Sequence, residues 1–239
     1  MYVFVCKNKR TFGKTNIRLH DKVRIMREIL TPKVISILRT MCSNVERWYY
    51  TRELAKLAKV STWVVSKKFS LLVKDEIVQQ KLEGREKFYR LNLTNSRTRK
   101  LCEFFEAEKR EKFYKENRRL AWILEDFTKK TSDFAPEVQS IICFGSVARG
   151  QATPRSDIDI LVLVPNFKEE QFKKLMNAIG SLASEVSGRH PTKLAPVVMM
   201  MEDFEESIKD KKRFAADVLK DGIVLFGEER YYYLLSRVI

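Results

Sequence analysis

The stretch from Ile142 to Val164 limits the possible folds of this chain most, because two apolar runs in it are separated by a tight turn and a pair of acids. The first run stops at Gly145 and Ser146, and the second opens with Asp157 and Asp159. This order predicts a strand, a turn, a short helix, a loop and a second strand. Side chains two residues apart on a strand face the same side, so the two carboxylates should project together.

Paired carboxylates of this kind indicate a cation. Asp157 and Asp159 repel each other unless a positive charge lies between them, and hard divalent ions such as Mg²⁺ or Mn²⁺ take oxygen ligands. Gly145 allows the backbone to approach a ligand closely, and free N–H groups at the start of a short helix suit a phosphate.

The same residues resemble the signature of a known family. The motif consists of Gly145-Ser146, then Ala148-Arg149-Gly150, then Ser156-Asp157-Ile158-Asp159 followed by an apolar strand. It is similar to the polymerase-beta-type nucleotidyltransferase superfamily, above all to its minimal members. The resemblance implies a small mixed sheet with flanking helices, two Mg²⁺ ions and transfer of a nucleotidyl group with release of pyrophosphate. It also implies a nucleoside triphosphate, foremost ATP, as substrate or ligand.

The resemblance assigns roles to six residues. Catalysis and metal binding fall to Asp157 and Asp159. Nucleotide binding falls to Gly145, Ser146, Arg149 and Ser156. Arg149 has an alternative role, which is to pair with a surface acid.

One expected group is missing from the motif. Transferring members of the superfamily usually carry a third carboxylate on a neighbouring strand, but the predicted strand Lys193 to Met201 has no acid. Glu202 and Asp203 follow it, where acids commonly begin a helix. Glu202 is therefore a candidate for the third ligand, and whether the site is catalytic stays open.

The charge of the chain is unevenly distributed. Residues 1–130 hold 32 Lys and Arg against 15 Asp and Glu, whereas residues 131–239 hold 14 against 16. The net charge of +15 thus belongs to the part before the motif. This asymmetry predicts that the first part faces a polyanion such as nucleic acid, although a merely soluble basic surface would look similar.

Composition excludes several classes. With 239 residues, 44% of them apolar, the chain can bury one large core or two modest ones. No run approaches 18 uninterrupted apolar residues, so we expect a soluble, cytoplasmic protein with no membrane contact. The four cysteines and two histidines are scattered, which predicts neither a disulfide framework nor a zinc site, and buried cysteines are expected.

The first part of the chain contains a second informative succession of predicted helices and strands. The pattern predicts a strand over Met1 to Val5 and helices over Lys22 to Leu30 and Pro32 to about Met41. It then predicts a short helix capped by Thr51 and a longer helix from about Thr62 to Lys74. A β-hairpin with a polar tip then ends near Leu91. This order resembles the winged helix-turn-helix domains of prokaryotic transcription regulators.

That resemblance predicts which side chains meet double-stranded DNA. Val64, Val65, Phe69, Leu71 and Leu72 would hold the second helix on the core. Polar and basic groups of the helix would reach base edges, and those of the wing would reach phosphates. The predicted DNA-binding residues are Ser61, Thr62, Trp63, Ser66, Lys67, Lys68, Lys81, Arg85 and Lys87. Some winged domains bind protein instead.

Residues 96–130 contain no Gly or Pro, and their apolar residues recur at helical spacing. They predict one long helix or two consecutive ones, packed either on their own chain or on a second copy in a homodimer. We favour the homodimer, because winged regulators generally bind paired half-sites. The apolar stripe consists of Leu101, Phe104, Phe105, Phe113, Leu120, Ile123, Leu124 and Phe127.

The complete prediction is a two-domain protein of the α+β and α/β classes. A winged helix-turn-helix domain covers residues 1–95, a helical linker 96–130 and a nucleotidyltransferase-like domain 131–239. The last domain should have strands near Val138 to Phe144, Ile158 to Val164, Lys193 to Met201 and Ile223 to Phe226, with helices over Lys168 to Ser187, Glu202 to Lys220 and Arg230 to Ile239.

Three functions fit this architecture. The first is a DNA-binding nucleotidyltransferase that modifies a protein or nucleic acid, as do antitoxins that attach AMP to a partner toxin. The second is a transcription regulator with an inactive, nucleotide-sensing domain. The third, suggested by likeness of the motif to tRNA CCA-adding enzymes, is an RNA end-modifier. The third fits least, because the chain lacks the extra domains of those enzymes.

Overall fold

A computed structural model describes residues 31–153, 156–190 and 192–239 of the chain. The strand predicted over Met1 to Val5 and the helix predicted over Lys22 to Leu30 lie outside these residues. The helices are α1 Pro32–Cys42, α2 Thr51–Ala58, α3 Thr62–Lys74, α4 Ser96–Glu116, α5 Arg118–Phe134, α6 Gly145–Ala148, α7 Glu169–Gly188, α8 Met201–Lys209, α9 Arg213–Asp221 and α10 Glu228–Val238. The strands are β1 Tyr49–Tyr50, β2 Val78–Glu83, β3 Glu86–Leu91, β4 Ser140–Phe144, β5 Ile158–Val164, β6 Leu194–Met200 and β7 Ile223–Phe226. In the described part of the chain, no helix combines the length and apolar character needed to cross a membrane.

The first three helices pack on a small antiparallel sheet with the order β1-β3-β2. Helix α3 covers the predicted residues, and the Ser61 hydroxyl begins it by accepting a hydrogen bond from the Val64 N–H at 3.4 Å. The ring of Phe69 lies 5.0 Å from that of Tyr89 on β3, and both side chains are fully buried. The helix is thereby held against the hairpin, whose two-residue turn contains Gly84 with a φ of +61°.

Two predictions about this part are wrong in detail. Thr51 does not cap α2, because it lies within the first turn and its hydroxyl donates to the carbonyl of Lys87 at 2.8 Å. Leu71 is 38% exposed rather than part of the core. Its position on α3 lies too far around the helix from Phe69 and Leu72, the residues that face the sheet.

The predicted helical segment consists of two consecutive helices, α4 and α5, which meet at Asn117. The side-chain amide of Asn117 donates to the carbonyl of Phe113 at 3.0 Å and caps the end of α4. Most of the apolar stripe, including Phe113 and Phe127, is buried within the same chain. Phe104 departs from the prediction, since 58% of its surface is exposed.

The last part contains a four-stranded mixed sheet with the order β6-β5-β4-β7. Strand β4 pairs antiparallel with β5 and β7, whereas β5 and β6 are parallel. Alternating residues bury the two faces: Ile141 on β4 packs with α5 and α7, and the adjacent Ile142 belongs to a core shared with α8, α9 and α10. The predicted mixed sheet with flanking helices is therefore confirmed.

The helix predicted over Glu202 to Lys220 is wrong, because α8 and α9 are separate. Lys211 adopts a left-handed conformation with a φ of +53°, and the N–H of Lys212 returns to the carbonyl of Ser207 at 2.9 Å. Neither Gly nor Pro marks the break in the sequence. The break lets both short helices lie on the sheet.

Candidate active site

The turn at Gly145 lies directly against a carboxylate. Strand β4 ends at Phe144, which pairs with Asp159 on β5, and Gly145 follows with a φ of +74°. A Cβ atom at residue 145 would lie 2.1 Å from Oδ2 of Asp159. The position thus requires glycine both for its backbone conformation and for the space that the carboxylate occupies.

Asp157 and Asp159 lie close enough to affect each other. Asp157 immediately precedes β5 and its side chain is 48% exposed, whereas Asp159 is half-buried. Burial raises the pKa of Asp159, and the charge of Asp157 raises it further, while Arg149 lowers it. The two acids repel each other and share one region at the end of the sheet.

The other residues of the motif surround this pair. Nη1 of Arg149 lies 3.7 Å from Oδ2 of Asp221, so the arginine does pair with a nearby acid. The carbonyl of Ser146 accepts a hydrogen bond from the N–H of Gln151 at 2.9 Å. Ser156 closes the intervening loop, because its hydroxyl accepts from the N–H of Thr153 at 2.9 Å.

The strand next to the acids carries no third carboxylate at their level. Parallel pairing places Ala195 on β6 beside Asp159. Glu202 follows the far end of β6, where Met200 pairs with Val164, and its N–H donates to Oδ1 of Asn166 at 3.4 Å. At about 3.3 Å per residue, Glu202 lies roughly 20 Å from the acid pair. The hypothesis that Glu202 supplies the third ligand is therefore wrong.

A lysine that sequence reasoning missed lies beside the acids instead. Nζ of Lys193 is 4.0 Å from Oδ2 of Asp157. The carbonyl of Lys193 accepts a hydrogen bond from the N–H of Ile158 at 2.8 Å, which fixes the backbone at the start of β6. The sequence did contain a signal for this lysine, namely a basic residue at the start of the predicted strand on which the third carboxylate was expected.

The predicted DNA-binding residues fall on two surfaces. Thr62, Ser66, Arg85 and Lys87 line one groove of about 280 Å³ between α3 and the hairpin turn. The groove is also lined by Arg52 on α2, which the sequence prediction omitted. This groove presents three basic side chains and one acid, Glu86, beside the exposed start of α3.

Lys81 lies on the opposite face of the small sheet. On β3 its register partner is Phe88. The next residue, Tyr89, points to the other face and is buried under the helices. The ammonium group of Lys81 lies 4.7 Å from the ring centroid of Trp48 and forms an ion pair with Glu83 at 2.6 Å. Strand alternation therefore separates Lys81 from the groove.

The remaining predicted residues lie on or beside α3. Trp63 is 66% exposed, and Nζ of Lys67 lies 4.9 Å from its ring centroid. Lys68 is half-buried, and the hydroxyl of Ser61 is engaged as the helix cap. Trp63 and Lys67 form an exposed aromatic and basic pair near the start of the helix.

Comparison with known proteins supports a class for the last part of the chain. Residues 120–225 match the family model described as nucleotidyltransferase domain. The match runs from α5 to β7 and includes the Gly145 turn, both acids and all four strands of the mixed sheet. The match supports the nucleotidyltransferase domain that the motif predicted for this part of the chain.

One similar protein has a more specific name than the family model. The chain is 25% identical over 111 residues to a protein of Methanocaldococcus jannaschii that is provisionally named a protein adenylyltransferase. The similarity covers 46% of this chain and 74% of the relative. Both comparisons support nucleotidyl transfer as the chemistry of the domain.

The two acids fit the divalent cation that such chemistry uses. Carboxylate oxygens are the ligands that Mg²⁺ and Mn²⁺ prefer, and the repulsion between Asp157 and Asp159 would be relieved by a positive ion. Within residues 31–153, 156–190 and 192–239, no three His, Cys, Asp or Glu side chains cluster as a metal site. The protein would thus supply two ligands, and phosphates and water would supply the others.

Proposed function

We propose that residues 131–239 bind a nucleoside triphosphate with a divalent cation and transfer its nucleotidyl group to an acceptor. The observation that carries this proposal is the contact between the turn and the strand, where the Asp159 carboxylate lies against Gly145. A cation at the carboxylates and a phosphate at the turn would be immediate neighbours. A metal-bound triphosphate requires this arrangement.

Each residue of the motif has a role in the proposal. Asp157 and Asp159 hold the cation, which when bound stabilises negative charge during displacement at the α-phosphate. The backbone and hydroxyl of Ser146 hold the outer phosphates. Arg149 exchanges its weak pairing with Asp221 for the leaving pyrophosphate. Ser156 keeps the loop between the turn and the acids closed.

We propose a protein acceptor and ATP as the nucleotide. The support is the similarity to a relative provisionally named a protein adenylyltransferase. A hydroxyl oxygen of the acceptor forms the new bond to the α-phosphorus, the bond to the bridging oxygen of pyrophosphate breaks, and the hydroxyl proton passes to solvent. A toxin-like partner is one acceptor of this class.

The test is transfer of label from α-labelled ATP to protein in a lysate of the source organism, with Mg²⁺ present. Asp157→Asn combined with Asp159→Asn should abolish labelling. Asp133→Asn is the control, because Asp133 is an exposed acid at the end of α5. Labelling that persists in the double variant would contradict the assignment.

We also propose that residues 1–95 form a winged helix-turn-helix module that binds double-stranded DNA. The support is the groove shared by α3 and the hairpin turn, which combines Arg52, Arg85 and Lys87 with the polar start of α3. Basic groups of this kind contact phosphates, and polar groups near the start of a helix reach base edges. The strongly basic charge of residues 1–130 favours the same partner.

Arg85→Ala combined with Lys87→Ala tests the module in a gel-shift titration at several salt concentrations. Affinity should fall, and the slope of log affinity against log salt should become shallower by about 2, since two phosphate contacts are removed. Lys81→Ala is the control, because Lys81 faces away from the groove. An unchanged slope in the double variant would contradict DNA binding by the wing.

We propose that residues 96–130 support a homodimer, as half-site recognition would require. Phe104 and Trp122 support this, since 58% and 70% of their surfaces remain exposed on α4 and α5. Light scattering at micromolar concentration should give twice the chain mass. A monomer at that concentration would contradict the proposal.

A second candidate function is a transcription regulator whose last domain binds the nucleotide without transferring it. Ala195 favours this candidate, because it leaves the strand next to Asp159 without the third carboxylate that the resemblance implies for a transferring enzyme. Both candidates bind ATP with Mg²⁺, but only the first labels an acceptor. If ATP changes DNA affinity and no label is transferred, the second candidate is correct.

A further inference from the structure

Three charged side chains lie close together where β5 and β6 begin. Asp157 and Asp159 bring two negative charges, and Lys193 brings a positive charge 4.0 Å from Asp157. Ala195 leaves the position beside Asp159 without a charge. The arrangement differs from the resemblance stated above, which implies two Mg²⁺ ions and a third carboxylate.

We propose that Lys193 contacts the bound triphosphate and replaces one of the two divalent cations, so that each chain takes a single cation with its nucleotide. The proposal rests on the proposed nucleotide binding at Asp157 and Asp159, whatever the acceptor. The ligand class is a nucleoside triphosphate with one divalent ion.

The number of acids at the site suits one cation. A divalent ion in a phosphate site is commonly held by one or two carboxylates together with the phosphates. Asp157 and Asp159 satisfy this need for one ion. A second ion would have to share the same two carboxylates, since no further acid joins the pair in a three-residue metal cluster among the described residues.

Lys193 is placed to reach a phosphate bound at the acids. The backbone of Lys193 is tied to Ile158 by a hydrogen bond of 2.8 Å, so the base of the side chain is fixed beside the acids. Its ammonium group is 4.0 Å from Asp157, beyond hydrogen-bonding distance, and the side chain is 73% exposed. An exposed pair of this kind is weak, and the lysine can exchange it for a phosphate oxygen.

Positive charge reaches the acids from two sides. In the sheet order β6-β5-β4-β7, Lys193 immediately precedes β6 on one side of the acids. Arg149 lies towards the other side, where it pairs with Asp221 just before β7. The two cationic side chains therefore flank the carboxylates, and a triphosphate bound there would have Lys193 and Arg149 at opposite flanks.

The first experiment counts ions. The wild-type chain is titrated with Mn²⁺ in the presence of an ATP analogue with a non-hydrolysable α,β bond, and bound Mn²⁺ is measured by electron paramagnetic resonance. One nucleotide-dependent Mn²⁺ per chain is expected. Two ions would overturn this inference and leave the proposed function intact, whereas failure of the wild type to bind the analogue would overturn both.

The second experiment removes the lysine. Lys193→Ala should weaken binding of the analogue with Mn²⁺ about tenfold, the loss expected for a charge-assisted hydrogen bond. Lys193→Arg should remain within about twofold of the wild type, because it keeps the positive charge. Lys168→Ala is the matched control, since Lys168 is exposed just before α7, beyond the opposite end of β5.

Thermal unfolding of each variant separates a local effect from loss of structure. The midpoint of Lys193→Ala without nucleotide should equal that of Lys168→Ala, because both remove an exposed lysine. Unchanged affinity in Lys193→Ala would overturn the inference. An equal loss of affinity in Lys168→Ala would overturn it as well, because the effect would then be one of overall charge.

Discussion

The carboxylate of Glu106 on α4 accepts a hydrogen bond from the backbone N–H of Val224 on β7 at 2.9 Å. Its second oxygen accepts from the hydroxyl of Tyr232 at 3.1 Å, and the side chain is 8% exposed. Arg110, one turn further along α4, donates to the carbonyl of Val224 at 3.0 Å. Strand β7 is an edge of the sheet, and charged side chains of α4 satisfy its outer backbone groups.

This relationship predicts that Glu106 matters for stability. Glu106→Ala would leave the N–H of Val224 and the hydroxyl of Tyr232 without their partner inside the protein. We expect the free energy of unfolding to fall by about 3 kcal/mol, as for other broken buried networks. Urea denaturation measures the loss.

Glu108→Ala is the matched control, two residues further along α4. Glu108 pairs with Arg39 at 2.8 Å, but its side chain is 40% exposed. An exposed ion pair contributes less than about 1 kcal/mol. Equal losses in the two variants would show that the contact with β7 does not stabilise the chain.

A second prediction concerns the turn of the candidate site. Gly145→Ala should displace Asp159, because the new Cβ would lie 2.1 Å from its carboxylate oxygen. We expect binding of ATP with Mg²⁺ to weaken by at least about tenfold, as when a charged contact is lost. Calorimetry measures the affinity, and urea denaturation measures the accompanying loss of stability.

Gly84→Ala separates the backbone effect from the steric one. Gly84 has a φ of +61°, similar to that of Gly145, but no atom lies within 4 Å of its added Cβ. It should lose only the roughly 1–2 kcal/mol that a left-handed conformation costs an alanine. If Gly145→Ala loses no more stability than this and still binds ATP, the close contact with Asp159 is not required.

A third prediction adds the missing acid. Ala195→Asp would place a carboxylate beside Asp159 on the parallel strand. Without metal the third negative charge should lower the thermal midpoint, and Mn²⁺ should restore it, because the ion relieves the repulsion. We expect the number of nucleotide-dependent Mn²⁺ ions to rise from one to two.

Val197→Asp controls for adding a charge to the same strand. Val197 faces the same side of β6 two residues further from the acids, and 39% of its surface is exposed. It should leave the ion count unchanged. A second ion in both variants, or in neither, would contradict the importance of the position beside Asp159.

A fourth prediction concerns Cys143 on β4. Burial raises the pKa of its thiol to about 12, with a further contribution from Asp159. At pH 8 the thiol is therefore protonated in the folded chain and should resist iodoacetamide, which reacts with thiolates. Mass spectrometry of the Cys143 peptide should find label only after unfolding in urea.

The same shift has a consequence for stability at high pH. The folded chain binds this proton more tightly than the unfolded chain, whose thiol has an ordinary pKa of 9.0. The contribution is fully present below pH 9.0 and is lost as the pH rises towards 12. Cys143→Ala should remove about 1.4 kcal/mol per pH unit of this dependence above pH 9. An unchanged dependence in the variant would contradict the buried, protonated thiol.

The sequence by itself determined the local elements and the residues that meet at the motif. Gly145 and the two acids predicted a turn beside a carboxylate pair, and apolar spacing predicted α3 from Thr62 to Lys74. These features depend on residues that are neighbours in the chain. Periods of two and 3.6 residues and the special backbone of glycine are readable without knowing what packs against them.

Tertiary structure alone decided which distant residues lie beside each candidate site. The parallel register of β5 and β6 placed Ala195 and Lys193 beside the acids and moved Glu202 to the far end. The faces of the small sheet likewise separated Lys81 from the groove that contains Lys87. Strand order and register arise from the packing of whole faces against one another, and a pattern within one strand is compatible with several partners.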